Sequence, residues 1–301
     1  MDSMRVGKPE LALEKPGALA RALAFPGAQA GPWIAPTLAS FAAAALPLAI
    51  LFWAILFPPL RPAALAVAVA GFLIQRRRGS PEVWPWAATV PVGTIITWGL
   101  ISAPEALPFA ASCADLLSPP MLWRVAELAL VAVVVTLLAR RLAARRSDLP
   151  LERSDRWFLG LSVAAAFVIA PMALLLGEDA ARPFFGSVRL HTALAGAIVP
   201  ALMFAIANAT LEETVYRGVL LSWTERHIGT AGAILVQAAA FGLAHLGSDF
   251  IASPIPVVGA MFVMGALAGL IVKRTGSLLV PIVIHATLDV PLYYSLACRL
   301  S

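Results

Sequence analysis

Long apolar segments recur along the whole chain, and they restrict its fold more than any other feature of the sequence. A helix that crosses a bilayer needs about 20 predominantly apolar residues. Nine segments approach this requirement: 34–57, 63–74, 83–103, 121–139, 157–176, 192–223, 231–246, 255–272 and 278–297. Because the second segment is short, the pattern predicts an all-α, polytopic transmembrane helix bundle of 8–9 spans.

The composition argues against a soluble protein. Of the 301 residues, 60% are hydrophobic and 13% are charged, whereas a soluble domain carries about 25% charged residues. The net charge of +5 does not indicate nucleic acid, because the arginines lie in short segments between apolar runs. We therefore expect the membrane lipid bilayer to be a main partner of the chain, and we expect no nucleic-acid partner.

Basic residues are concentrated between alternate spans. They follow the second, fourth, sixth and eighth segments: Arg76–Arg78, Arg140, Arg141, Arg145, Arg146, Arg153, Arg156, Arg226, Lys273 and Arg274. Loops rich in lysine and arginine face the cytoplasm. The alternation supports nine spans and predicts a multi-pass integral membrane protein with its N-terminus inside the cell.

The chain divides into three regions by composition. Residues 1–33 contain four prolines and several basic residues but no continuous apolar stretch, which is unlike a secretory signal. We expect 1–33 to be a cytosolic N-terminal leader, 34–180 to form accessory transmembrane helices, and 190–298 to form a core of about four transmembrane helices. Because the first five spans hold few polar groups away from their ends, the chemistry is expected after about residue 192.

Three polar motifs lie in the last four spans. They are Glu212-Glu213-x-x-x-Arg217, Phe241-x-x-x-His245 and His285-x-x-x-Asp289. Each motif contains a pair of residues four apart, and this spacing places the paired residues on one helix face. The pairs are Glu213 with Arg217, Phe241 with His245, and His285 with Asp289. Ionisable groups at membrane depth cost about 2.5–3.5 kcal/mol each on insertion scales and indicate a functional site by default.

The two adjacent carboxylates are expected to differ in role. Glu213 precedes Arg217 by four residues, the favourable order for an ion pair on a helix, and substrate contact is the alternative. Glu212 points about 100° away from Glu213, so it has no obvious partner in its own helix. An unpaired carboxylate suits general acid–base catalysis, and the alternative is that Glu212 pairs with a histidine to fix helix packing.

His245 and His285 both lie in apolar helices, where a lone histidine is more often a core residue than a catalytic one. Two such histidines together with an unpaired glutamate favour a catalytic site. Asp289 lies one turn after His285 and could orient its imidazole, as carboxylates commonly do, or donate to substrate if protonated. Glu212 reaches the depth of His245 only if its helix continues to about residue 223, so we predict one long, tilted helix through the motif.

In this order and on successive helices, the three motifs resemble those of the CPBP intramembrane proteases, which include the CAAX prenyl endopeptidases and the bacterial Abi proteins. The segment 269–285 is also similar to the family's usual sequence, and the resemblance covers roughly 192–297, a third of the chain. It implies an endopeptidase of the bacterial inner (cytoplasmic) membrane. Its substrate would be a membrane-associated protein or peptide, cleaved by CAAX-type or C-terminal-tail processing.

The resemblance also implies catalytic roles. Glu212 and His245 would activate the attacking water, and His285 and Asp289 would stabilise the oxyanion of the tetrahedral intermediate. Eukaryotic prenyl proteases carry Asn at the position of Asp289. A carboxylate donates to an oxyanion only when it is protonated, so Asp289 is expected either to act in that form or to position His285.

Glu213 and Arg217 match the remaining motif positions, with a supporting or substrate-orienting role. The family is described both as metalloprotease and as metal-free glutamic protease. We favour a mechanism that requires no cofactor, because the chain lacks the His-Glu-x-x-His motif that holds zinc from one helix face. A divalent metal such as zinc, bound by Glu212, His245 and His285, is the alternative.

Two other classes of function compete with the protease. One is a non-catalytic membrane immunity or scaffold protein of the same fold, and the presence of Glu212, His245 and His285 together argues against it. The other is a proton-coupled transporter, since such proteins also use intramembrane Glu and His. Transporters often show two related halves, and none is evident in this sequence.

Overall fold

The computed structural model describes residues 36–101, 114, 118–144, 149–150, 156–157, 159–169, 195–246 and 254–297, and these form helices without a β-strand. The predicted leader, 1–33, lies outside them. The helices are α1 (Leu38–Leu56), α2 (Arg61–Arg78), α3 (Val83–Ile101), α4 (Pro119–Leu142), α5 (Leu159–Ile169), α6 (Ile198–Glu213), α7 (Ser222–Leu243), α8 (Pro254–Thr275) and α9 (Leu279–Ala297). A π-helical segment, Thr214–Leu221, joins α6 to α7.

The all-α architecture is confirmed, whereas the number of spans is not. Among the described residues, five helical stretches are long and apolar enough to cross a membrane: Leu38–Leu56, Pro58–Arg78, Pro120–Leu142, Ile198–Leu243 and Ile255–Thr275. Leu159–Ile169 and Leu279–Tyr294 are shorter apolar helices. The second predicted span, 63–74, is longer than the sequence indicated, because the helical stretch begins at Pro58, and proline suits the first turn of a helix.

The stretch Ile198–Leu243 contains two helices, 198–228 and 230–243, and the break between them lies within α7. As one helix, its 46 residues would be about 69 Å long at 1.5 Å per residue, more than twice the roughly 30 Å of a bilayer core. It breaks at Gly229, where φ is 73° and ψ is 165°, a conformation essentially restricted to glycine. The chain then folds back, since the rings of Tyr216 and Phe241 lie 5.2 Å apart in a T-shaped contact.

The first of these two helices continues through the Glu-Glu motif, as predicted. Helical structure extends from Ile198 through Glu213 and Leu221 and past Trp223 without a break. It differs from the prediction over Thr214–Leu221, where the helix is π rather than α.

Basic residues from separate helices lie at one end of the bundle. The Arg226 guanidinium stacks 4.4 Å from the ring centre of Trp84, which follows the run Arg76–Arg78. Lys273 forms an ion pair of 2.8 Å with Glu225. We call this the basic end; its grouping agrees with the alternation of charge along the sequence, and a cytoplasmic location for it remains a prediction.

Helices α6 and α9 pack side by side in opposite directions. Contacts at four successive levels fix their register: Phe204 with Tyr293, Asn208 with Asp289, Glu212 with His285, and Gly218 with Leu278. Because Leu278 meets Gly218 rather than the basic end, α9 begins inside the bundle. His285, the seventh residue after Leu278, therefore lies at the level of the Glu-Glu motif.

Helices α7 and α8 approach each other closely at two glycines. A Cβ atom at Gly265 would lie 3.0 Å from the Cα of Ala238, and one at Gly269 would lie 2.8 Å from Nε2 of Gln237. Gln237 uses this proximity, because its Nε2 donates to the carbonyl of Gly265 at 2.7 Å. The pattern Gly265-x-x-x-Gly269 therefore permits the helix packing that small residues favour in membranes.

Candidate active site

The three motifs meet in the interior of the bundle. Glu212 and Glu213 lie at the end of α6, and Arg217 lies in the π-helical segment. His285 and Asp289 belong to α9, whose register against α6 brings them to the same level. His245 follows the end of α7 and lies at the edge of this group.

His285 is at the centre of the group, with a carboxylate near each side of its ring. Its Nδ1 donates to Oε1 of Glu213 at 2.8 Å. Its Nε2 lies 3.6 Å from Oε2 of Glu212 and 3.7 Å from Oδ2 of Asp289. These two distances exceed the usual 2.7–3.2 Å of an N–H···O hydrogen bond, so the carboxyl groups of Glu212 and Asp289 are close neighbours of the ring rather than its hydrogen-bond partners.

Glu213 and Arg217 form the predicted ion pair. Their Oε1 and Nη1 atoms are 3.1 Å apart, and each side chain is 1% exposed. The guanidinium also lies 4.4 Å from the centre of the Phe241 ring, which is within the range of a cation–π interaction. Glu213 is therefore held by both Arg217 and His285.

Asp289 does not make the orienting hydrogen bond to His285 that its spacing suggested. Its Oδ2 accepts from Nδ2 of Asn208 at 2.9 Å, while Glu213 holds the His285 ring. The spacing of four brings Asp289 near Nε2, but Nδ1 of the ring points across to α6. The sequence feature that could have identified Asn208 as part of the site is its position four residues before Glu212, on the same helix face.

His245 shares an aromatic neighbour with the rest of the group. Its Nδ1 donates to the carbonyl of Phe241 at 2.8 Å, so Nε2 carries the lone pair of the neutral ring. The Phe241 ring lies 5.0 Å from the ring of His245 and 5.9 Å from that of His285. His245 interacts electrostatically with Glu212 and His285, although no hydrogen bond or ion pair joins it to Glu212 within the described part of the chain.

The π-helical segment begins directly after Glu213. Such segments are rare and frequently occur at functional sites. Gly218 lies within it, and a Cβ atom there would be 3.2 Å from Cδ1 of Leu278, so a side chain at this position would press on Leu278 where the segment meets the start of α9. The sequence did not predict the π-helical segment, because the change from an α-helix to a π-helix adds about one residue per turn and leaves the hydropathy of the stretch unchanged.

An upstream helix also contributes charge, contrary to the expectation that the chemistry begins after residue 192. In α4, Nη1 of Arg124 donates to Oε2 of Glu127 at 2.7 Å. Arg124 interacts electrostatically with Glu212 and Asp289, and Glu127 does so with Glu212. The signal in the sequence was an Arg-x-x-Glu pair within the predicted span 121–139.

The described side chains near Glu212 do not form a metal site. Among the described residues, no three His, Cys, Asp or Glu side chains are arranged to hold a metal ion. Glu212 and His285 lie within 3.6 Å of each other, but His245 does not complete the set.

Comparison with known proteins agrees with the resemblance of the motifs. Residues 194–291, about a third of the chain, match the family model for type II CAAX prenyl endopeptidases of the Rce1-like kind. No curated protein and no solved structure matches the chain. The matched region includes both glutamates, Arg217, both histidines and Asp289, and it excludes Arg124 and Glu127 of α4. Residues 194–291 are therefore similar to the Rce1-like CAAX prenyl endopeptidases, a family of membrane proteases.

Proposed function

We propose that this protein is an intramembrane endopeptidase that uses water activated by Glu212 and His245. Its substrate is a membrane-associated protein or peptide, cleaved in the manner of CAAX-type or C-terminal-tail processing. The observation that carries the proposal is the unequal engagement of two adjacent carboxylates. Glu213 is fixed by Arg217 at 3.1 Å and by His285 at 2.8 Å. Glu212 makes no hydrogen bond within the described residues, and its side chain is 11% exposed.

In the proposed reaction, a water molecule between Glu212 and His245 attacks the scissile carbonyl. Glu212 accepts one water proton as the new C–O bond forms, which is the role of a general base. The lone pair on Nε2 of His245 orients the water by accepting a hydrogen bond from its other O–H group. When the C–N bond breaks, Glu212 returns its proton to the leaving amine, so the products are a carboxylic acid and an amine.

The oxyanion of the tetrahedral intermediate is stabilised from α9. His285 already donates from Nδ1 to Glu213, so a proton on Nε2 makes the ring a cation that faces the reaction centre. Preorganised donors of this kind are commonly the largest single contribution to catalysis. Asp289 adds a second donor in its protonated form, and Asn208 fixes its carboxyl group from the neighbouring helix. Glu213 is a positioning residue in this scheme, because it holds the ring of His285.

The proposal is tested by substitution of the base in the full-length protein. A natural substrate is first sought by comparing protein termini in membranes with and without this protein. In proteoliposomes, Glu212→Gln is expected to reduce kcat by at least about 10²-fold, the lower range for removal of a general base. Glu225→Gln is the matched control, because it removes a buried carboxylate that pairs with Lys273 at the basic end. Unchanged hydrolysis by a folded Glu212→Gln variant would contradict the assignment.

A further inference from the structure

The charged pair Arg124–Glu127 in α4 has no role in the mechanism above. The side chain of Glu127 is 2% exposed, whereas that of Arg124 is 26% exposed. Each charge in an apolar span is costly, about 2.5–3.5 kcal/mol on insertion scales, and an apolar pair would avoid this cost. Mutual neutralisation alone therefore explains how the pair is tolerated but not why it is present.

The position of α4 brings the pair to the level of the candidate active site. The Ser118 hydroxyl at the start of α4 is hydrogen-bonded to the Tyr293 hydroxyl of α9 at 2.7 Å. From this level α4 descends about 9 Å to Arg124, while α9 descends about 6 Å to Asp289 and 12 Å to His285, at 1.5 Å per residue. Arg124 therefore lies at a depth between the two residues of α9.

Glu127 points inward rather than toward lipid, since its side chain is 2% exposed. Helix α4 packs along α6, and Met121, one turn before Arg124, lies in a buried cluster with Phe204 and Val290. Arg124 interacts electrostatically with Glu212 and Asp289. A cation from outside the matched region thus lies close enough to two carboxylates of the site to interact with them.

The chemistry of Arg124 suits an anionic ligand. A guanidinium has five N–H donors in a planar fork that binds carboxylates at two points. Nη1 of Arg124 donates to Oε2 of Glu127 at 2.7 Å, which fixes one side of the fork. The group remains partly exposed while its partner is buried, so its other donors can reach a second carboxylate.

We propose that Arg124 is a specificity-determining residue that binds a carboxylate of the substrate, with Glu127 as its positioning residue. The inference rests on the proposed function and extends it. The carboxylate is either the free C-terminus of the substrate or an acidic side chain close to the scissile bond. Both sources present the same chemistry to the guanidinium, and peptide pools can distinguish them.

The test uses three randomised pools of N-terminally acylated peptides and the full-length protein in proteoliposomes. One pool has free C-terminal carboxylates, the second is amidated and lacks acidic residues, and the third is amidated but carries Asp or Glu near the end. The wild type is expected to favour the free acids or the acidic amides over the neutral amides by roughly 10-fold or more, as for a charge-assisted hydrogen bond. Preference for the first pool identifies the C-terminus as the source, and preference for the third identifies a side chain.

Arg124→Gln is expected to remove this preference mainly through KM. Arg124→Lys is expected to retain part of the preference, because lysine keeps the positive charge without the planar fork of donors. Glu127→Gln is expected to weaken the preference. Arg141→Gln, the same change at the exposed end of α4, is the matched control. Equal losses on all three pools, or no preference in the wild type, would overturn the inference.

A binding assay separates this inference from the proposed function. The same pools are bound to Glu212→Gln protein with and without Arg124→Gln, so that no hydrolysis is needed. Carboxylate-selective binding that depends on Arg124 supports the inference even if the wild type hydrolyses no pool, an outcome that would contradict the protease alone. Binding without selectivity overturns the inference even if hydrolysis is observed.

Discussion

Oε1 of Glu213 and Nδ1 of His285 are joined by a hydrogen bond of 2.8 Å between two antiparallel helices. The bond decides the orientation of the imidazole, because it directs Nε2 toward Glu212 and Asp289. It also distinguishes the two adjacent glutamates. Glu213 holds His285 in place, and Glu212 remains available for the proposed catalysis.

Glu213→Gln is expected to destabilise the protein far more than Glu212→Gln does. The first change leaves the buried Arg217 guanidinium without its carboxylate, and breaking a buried pair costs about 3–5 kcal/mol. The second removes no hydrogen bond within the described residues, so the free energy of unfolding is expected to change by less than about 1 kcal/mol. Unfolding in one detergent at fixed lipid content measures both. A double variant, Glu213→Gln with Arg217→Met, is expected to recover part of the loss, and equal destabilisation by the two single changes would contradict the division of roles.

Asp289→Asn is expected to keep activity within about tenfold, whereas Asp289→Leu is expected to lose about 10²-fold or more, as for an oxyanion donor. The amide of Asn can accept from Asn208 and still donate to an oxyanion without a proton of its own. If the acid form of Asp289 is the donor, wild-type activity decreases as pH rises and that decrease is absent from Asp289→Asn. The pH profiles of kcat for the two proteins provide the measurement. Superimposable profiles would indicate that Asp289 acts only by positioning.

Removal of divalent metals is expected to leave hydrolysis unchanged, because the described side chains near Glu212 do not form a set of three metal ligands. Activity is measured after dialysis against a chelator, together with the metal content of the purified protein. Activity that is lost on dialysis and restored by zinc would contradict this prediction. A stoichiometric zinc ion that disappears in His245→Ala would then establish the alternative site at Glu212, His245 and His285.

The sequence predicted the features of the site that depend on one helix alone. The pair Glu213–Arg217 follows from a spacing of four, and the continuation of the helix past the motif follows from the depth that Glu212 must reach. Contacts between helices were harder to predict, because hydropathy and spacing do not state which helices are neighbours. The bond from Glu213 to His285 and the approach of Arg124 both depend on that lateral arrangement.

Other differences arise from the start of α9. Its first residues meet Gly218 rather than the basic end, which sets the level of every later residue of that helix. A hydropathy profile fixes where an apolar segment lies in the sequence but not how far it is shifted along its neighbour. The hydrogen bond from Asn208 to Asp289 depends on this register, which places the two residues opposite each other.

Gly218→Val is expected to reduce both stability and activity, because it adds a branched side chain where a Cβ atom would already lie 3.2 Å from Cδ1 of Leu278. Overpacking of this kind costs typically about 1–3 kcal/mol. Displacement of the start of α9 would also move His285, and small displacements of a catalytic group can cost about 10²-fold in rate. Unfolding and kcat are measured together in the same detergent or liposome preparation.

Leu278→Ala combined with Gly218→Val is expected to restore much of the loss, because the smaller side chain leaves room for the added methyl groups. Gly259→Ala in α8 is the matched control, since nothing lies within 4 Å of a Cβ atom there and Ala favours a helix over Gly by up to about 1 kcal/mol. If Gly218→Val were as harmless as Gly259→Ala, the close approach of Gly218 to Leu278 could not be what sets the level of His285. Activity that stays low after stability is restored would instead show that the π-helical segment has its own requirement for glycine.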